Sequence, residues 1–172
     1  MILPAVRDPR MVTVRRGGSL SDEHHHLLAR WAADCAEHVL GLFEVVRPHD
    51  PRPRDAIGAA RAWASGEAAM MATRAMGGHA MGAARDLAGA PRLAAYAAGQ
   101  AAVVAHVAEH DLGAAAYAIK AAVAAVPENV GADDVRRAER QWQLDRLPGE
   151  VRDLVLEDQA RRNDICWHVF DA

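Results

Sequence analysis

Apolar residues recur along this chain at steps of three and four, the period of a helix with one buried face. Leu28, Trp31, Cys35, Val39, Leu42 and Val46 keep that spacing behind Ser21-Asp22-Glu23, a capping residue with two early acids that suit the helix dipole. The spacing predicts a first helix over 22–46, ended by Arg47-Pro48-His49-Asp50-Pro51-Arg52-Pro53 because proline blocks continuation. A second helix opens at Arg54 or Asp55 and runs through Ala60, Trp63 and Met70 towards Met76, where Gly77-Gly78 is expected to break or kink it. A short third helix follows over 79–88, and Gly89-Ala90-Pro91 punctuates the chain before a fourth over 92–110. Asp111-Leu112-Gly113 reads as a turn or kink leading into a fifth helix that reaches Val126. After a loop over 127–131, a charged amphipathic sixth helix covers 133–147, and Pro148-Gly149 starts a seventh that ends near Arg162.

These elements predict an all-α, single-domain bundle of six or seven helices over 21–162. An arm precedes it over 1–20, partly extended around Pro4, Pro9, Gly17 and Gly18 and packed loosely or against a neighbour, and an apolar tail follows over 163–172. Three strings recur at a spacing of about 32–33 residues: Ala29-Arg30-Trp31-Ala32-Ala33, Ala60-Arg61-Ala62-Trp63-Ala64 and Leu93-Ala94-Ala95-Tyr96-Ala97. Stacked helical hairpins produce such spacing, and an ordinary bundle of alanine-rich helices produces it by coincidence of composition. Both arrangements remain open at this level.

Composition sharpens the core. Of 172 residues, 51% are hydrophobic but only 5% aromatic, so small aliphatic side chains must fill the interior and helices must approach closely. A net charge of −3 lacks the concentrated basic face that nucleic acid requires. Lys120 is the sole lysine among 20 basic residues. No stretch is long and apolar enough to predict a membrane span, and two distant cysteines, Cys35 and Cys166, form no disulfide framework, so a cytoplasmic location is expected.

Candidate chemistry is sparse. His106-Val107-Ala108-Glu109-His110 places two histidines four apart, able to share a metal on a helix, but no third ligand accompanies them and no metal or cofactor is assigned. Those histidines also fall in a stripe with Tyr96, Gly99, Val103, Gly113, Tyr117 and Lys120, either a polar seam in the core or the wall of a ligand pocket. Asp34, Glu37 and His38 cluster on the first helix, while Glu67 follows Trp63 by four. Were the chain an enzyme, His106 or His110 would serve as acid–base with Glu67 as partner, and Asp34, His38, Trp63, Tyr96 and Tyr117 would contact the ligand. No phosphate-binding glycine loop, nucleophile elbow or paired C-x-x-C is present, which removes the usual support for nucleotide, hydrolase and zinc-ribbon functions.

Several strings resemble a bacterial family of small helical proteins, the immunity-protein-5-like group of polymorphic-toxin systems. They are Trp31-Ala32-Ala33-Asp34-Cys35-Ala36-Glu37-His38-Val39-Leu40, Arg52-Pro53-Arg54-Asp55-Ala56-Ile57 continuing to Gly66-Glu67, Ala105-His106-Val107-Ala108, Leu112-Gly113-Ala114-Ala115-Ala116-Tyr117-Ala118 and Gln141-Trp142-Gln143-Leu144. The resemblance spans about 27–156. It implies an all-helical fold and binding of a cognate toxin as protein partner, and it brings no catalytic residue with it. Two other expectations stand beside it: a small-molecule enzyme or binding protein with a His/Glu-lined pocket, and a homo-oligomer assembled through the apolar tail.

Overall fold

The computed structural model describes residues 2–127 and 131–171. Among them the chain forms seven α-helices: α1 (Asp22–Glu44), α2 (Arg52–Ala64), α3 (Met70–Ala83), α4 (Gly89–Val103), α5 (Asp111–Ala124), α6 (Ala132–Asp145) and α7 (Gly149–Arg162). Short 3-10 turns at Pro9–Met11, Val14–Arg16 and Ala108–His110 complete the architecture, and the only strand-like pairing among the described residues is one bridge between Thr13 and Leu20. The loop expected over 127–131 lies largely outside the described residues.

Helix α4 occupies the centre, packed against α1, α2, α3 and α5. Every residue from Ala97 to Ala102 is buried, as is every residue from Asp111 to Ala116 on α5. A helix that is apolar all round belongs in an interior, and alanine and glycine let its neighbours close in from several sides. The long amphipathic α1 wraps this centre with Leu28, Trp31, Cys35, Val39 and Phe43, while α6, highly charged, covers the outside and sends Glu139, Gln143 and Leu144 inward. Cys35 and Cys166 are both free and buried. Among the described residues no helix is long and apolar enough to cross a membrane.

Helix α1 begins as its sequence predicts, with Ser21 Oγ accepting the backbone N–H of His24 at 3.1 Å. The second helix stops at Ala64, earlier than periodicity suggests, because Gly66 takes a left-handed φ of 77° and turns the chain. Conversely, Gly77-Gly78 does not interrupt α3. A Cβ on Gly77 would lie 2.7 Å from the carbonyl oxygen of Gly99, and one on Gly99 would lie 2.8 Å from the carbonyl oxygen of Gly77. These two glycines mark the close crossing of α3 and α4.

The fourth helix ends at Val103 rather than continuing to His110, and Val107 is extended. The His25 ring meets the Val104 carbonyl, just past the helix end, at 2.6 Å. Since a carbonyl can only accept, Nε2 of His25 carries the proton. The aromatics of the three recurring strings occupy unlike places: Trp31 in the middle of α1, Trp63 at the end of α2 and Tyr96 within α4, with α3 intervening. The fold is therefore a bundle without equivalent hairpin units.

The N-terminal segment is tied to the bundle by two arginines, and the C-terminal segment by apolar packing. Arg162, 1% exposed, donates to the backbone carbonyls of Glu109 at 2.9 Å and Ile2 at 3.2 Å, and to Asp158 at 3.0 Å. Arg7 reaches the fully buried Glu109 at 2.8 Å and the carbonyl of the buried Met11 at 3.4 Å. At the other end, Val169 and Phe170 pack into the core of the same chain.

Candidate functional site

The most organised set of polar side chains lies where α1, α2 and α6 meet. Asp34, Glu37 and His38, three and four apart, share one face of α1. Arg61 of α2 reaches across to Asp34 and Glu37, each at 2.7 Å. Its guanidinium holds the Glu37 carboxyl below the usual carboxylate range, chiefly through that hydrogen bond. From α6, the Trp142 indole stacks on the His38 ring with centroids 3.6 Å apart and planes 3° from parallel, and the Arg146 guanidinium lies 3.7 Å from the same indole's centroid. Asp34, Glu37, His38, Trp142 and Arg146 line an open concavity of about 470 Å³.

Behind this surface runs a chain of hydrogen bonds into the core. Nδ1 of His38 lies 2.8 Å from Glu139 Oε2, and Glu139 is only 6% exposed. The other carboxylate oxygen accepts from Gln143 Nε2 at 3.1 Å, and that amide also donates to the Ala115 carbonyl of α5 at 3.2 Å. The Gln143 backbone carbonyl in turn accepts the Trp31 indole N–H at 2.9 Å. A carboxylate at Nδ1 orients the imidazole and leaves Nε2 as the free nitrogen, so His38 is held as a hydrogen-bonding and proton-accepting group. Its ring is fixed on both sides, by Trp142 and by Glu139.

The residues singled out from the sequence separate into several places. Asp34 and His38 come together in this concavity. Trp63 lies elsewhere, with the rings of His25 and His26 edge-on at 4.7 and 4.8 Å, in a pocket that His106 also lines. Arg16 donates to the His106 carbonyl there at 3.3 Å. Tyr96 and Tyr117 pair edge-to-face at 5.5 Å on another face. His110 bonds through Nδ1 to Gln100 Oε1 at 2.6 Å. Burial pushes its pKa down to about 4, with the nearby charge of Arg162 adding to the effect. Desolvation also lowers His106.

Glu67 is exposed in the turn between α2 and α3, and among the described residues it bonds to neither His106 nor His110. The break in helix after Val103 removes the common face that His106 and His110 would share on a continuous helix. The stripe from Tyr96 to Lys120 is split in the same way. Its glycines serve contact: Gly99 admits α3, and a Cβ on Gly113 would meet the Gln100 amide oxygen at 2.5 Å.

Arg61, Glu139, Gln143 and Arg146 do not stand out in the sequence as site residues. One signal was available for two of them, because Glu139 and Arg146 lie three before and four after Trp142, along α6 and its C-cap. Nothing in the linear pattern marks Arg61 as the partner of Asp34 and Glu37.

A family model described as Imm-5 like putative immunity protein matches residues 18–150. All residues of the α1/α2/α6 site fall inside that span, while the first 17 residues and most of α7 fall outside it. No curated protein and no solved structure matches the chain.

Proposed function

We propose that this chain, which belongs to the Imm-5 like putative immunity protein family, binds and neutralises a cognate bacterial toxin in the cytoplasm without catalysis, and that the α1/α2/α6 face is where the toxin docks. The observation that carries the placement is the stack of His38, Trp142 and Arg146 around one concavity within the matched residues. Tryptophan and arginine dominate the energetics of protein interfaces, and side chains already held in one geometry lose little entropy on binding. The hydrogen-bonded chain from Trp31 through Gln143 and Glu139 supplies that rigidity. Asp34, Glu37 and Arg61 supply a polar rim whose charges are already paired.

The test is co-expression with toxic products of genes neighbouring this chain's own, together with calorimetry of the purified pair. Growth should be rescued and a stoichiometric complex should form. Trp142→Ala should weaken the complex by about 2 kcal/mol or more, roughly thirtyfold, while its circular dichroism stays that of the parent. Failure to rescue growth would sink the immunity reading. Rescue with unchanged affinity in Trp142→Ala would move the interface elsewhere.

One observation favours a second reading, a small-molecule site at the same concavity: the buried Glu139 carboxylate leaves His38 Nε2 as a candidate proton acceptor. On that reading Glu139→Gln abolishes turnover of whatever substrate is found, whereas a docking face tolerates the amide. The two readings thus separate on one variant.

A further inference from the structure

We infer that the cavity between α5 and the C-terminal turn is a binding site for an amphipathic anion, a carboxylate carrying an apolar chain. The cavity measures about 530 Å³, within the range of small-molecule sites. Leu93 of α4, Ile119 and Val123 of α5, and Val169 of the tail give it aliphatic walls. An ordinary hydrated ion gains nothing from such walls, and an apolar chain does.

The mouth is built at some expense to the backbone. Trp167 and His168 adopt φ of 58° and 57°, the left-handed region that bulky L-residues avoid. Asn163 holds this turn: its backbone carbonyl accepts from His168 N at 2.8 Å and its side-chain oxygen from Phe170 N at 3.0 Å. From α6, Arg136 donates to the Val169 carbonyl at 3.2 Å. The outcome is an indole 41% exposed at the rim of the cavity, a position that burial alone does not select. Strain of this kind persists where the surroundings impose it, and it concentrates at ligand sites.

Charge selects the head group. Lys120, the chain's sole lysine, sets its ammonium 4.0 Å from the Trp167 ring centroid. Among the described residues it makes no ion pair, whereas Asp133 and Arg136 on the same lining are paired with each other at 2.8 Å. Among the described residues, the charge at the mouth left without an ion pair is therefore positive. A carboxylate placed at Lys120 leaves its chain lying along Trp167 and over Ile119, Val123 and Val169.

Isothermal titration of the full chain with sodium dodecanoate, below its micelle concentration, tests this directly. Dodecyltrimethylammonium serves as the cationic counterpart with the same chain. One equivalent of dodecanoate should bind saturably and the cationic amphiphile should not. Lys120→Met, which keeps the aliphatic stem over the indole, should weaken dodecanoate by at least about tenfold. Ala124→Trp, at the exposed rim, should block it by filling the mouth. No binding of dodecanoate by the parent chain overturns the proposal, as does equal binding of the cationic amphiphile. Unchanged affinity in both variants overturns it too.

Discussion

Gly77 and Gly78 are adjacent residues of one helix, and replacing each by alanine should shift stability in opposite directions or nearly so. Both substitutions gain the same helix propensity, about 1 kcal/mol, because glycine is the costlier residue in a helix interior. That contribution cancels in the comparison. What differs is the surroundings: a Cβ at Gly78 meets nothing within 4 Å, whereas one at Gly77 lies 2.5 Å from Val103 Cγ2 and 2.7 Å from the Gly99 carbonyl oxygen. The valine methyl has some room to turn; the carbonyl belongs to the backbone of α4 and moves only if the helices part. Overpacking of this kind costs about 1–3 kcal/mol. Gly78→Ala should therefore be stabilised by about 1 kcal/mol, and Gly77→Ala should fall below it by about 1–3 kcal/mol. For a chain of this size the gap corresponds to about 2–12 °C in melting temperature. Urea titration followed by far-ultraviolet circular dichroism measures it. Gly99→Ala should behave like Gly77→Ala, since its Cβ meets Met81 Cγ at 2.6 Å and the Gly77 carbonyl at 2.8 Å. The double variant should cost less than the sum, because one separation of the helices relieves both clashes. Equal stability of Gly77→Ala and Gly78→Ala would refute the close crossing of α3 and α4.

Two other predictions concern the buried ion network. Arg162→Met should destabilise the chain by about 3–5 kcal/mol in denaturant titration, because the buried Asp158 would keep only Arg161 as its cation and the buried carbonyls of Ile2 and Glu109 would lose their donor; a loss under 1 kcal/mol would disprove the coupling. The neighbours His110 and Asp111 should give stability opposite dependences on pH. His110 titrates at about 4 in the fold against 6.5 unfolded, so the unfolded chain binds the extra proton between those values and stability falls as pH drops through the window, by about 3 kcal/mol. Burial raises the Asp111 carboxyl above its ordinary range against the pull of the Arg162 cation, so the folded chain binds the proton before the unfolded one and stability rises as pH drops towards the ordinary carboxylate range. Relative to the parent, His110→Gln should gain stability as pH falls from 6.5 to 4 and Asp111→Asn should lose it, as read from urea midpoints across pH. Differences independent of pH would contradict the assignment.

What periodicity and punctuation determine by themselves is the helical class and most of the helices. The stepped apolar face of α1, its Ser21 cap, the proline-rich stop after it and the Pro148-Gly149 start of α7 all act locally, through hydrogen bonds and sterics within a few residues. The family strings are legible at the same level. Local pattern fails where alanine is dense: between Ala97 and Ala118 nearly every residue is compatible with a helix, so nothing in the linear chain marks the end of α4 at Val103. That end is a tertiary matter, where the His25 ring from a distant helix takes the Val104 carbonyl.

The same division applies to the site. Asp34 and His38 are visible together because they share one turn-to-turn face of α1, but their partners Arg61, Glu139 and Trp142 arrive from other helices. The spacing of His106 and His110 suggests a shared face that the fold withdraws, since Val107 between them is extended and only a short 3-10 turn leads to His110. Gly77 and Gly78 are indistinguishable as letters, and only the neighbouring helix makes one a contact and the other a spectator. Periodicity reports how a segment buries its own face; which side chains then meet across helices depends on crossing points and helix ends, and these are set by close packing among residues far apart in the chain.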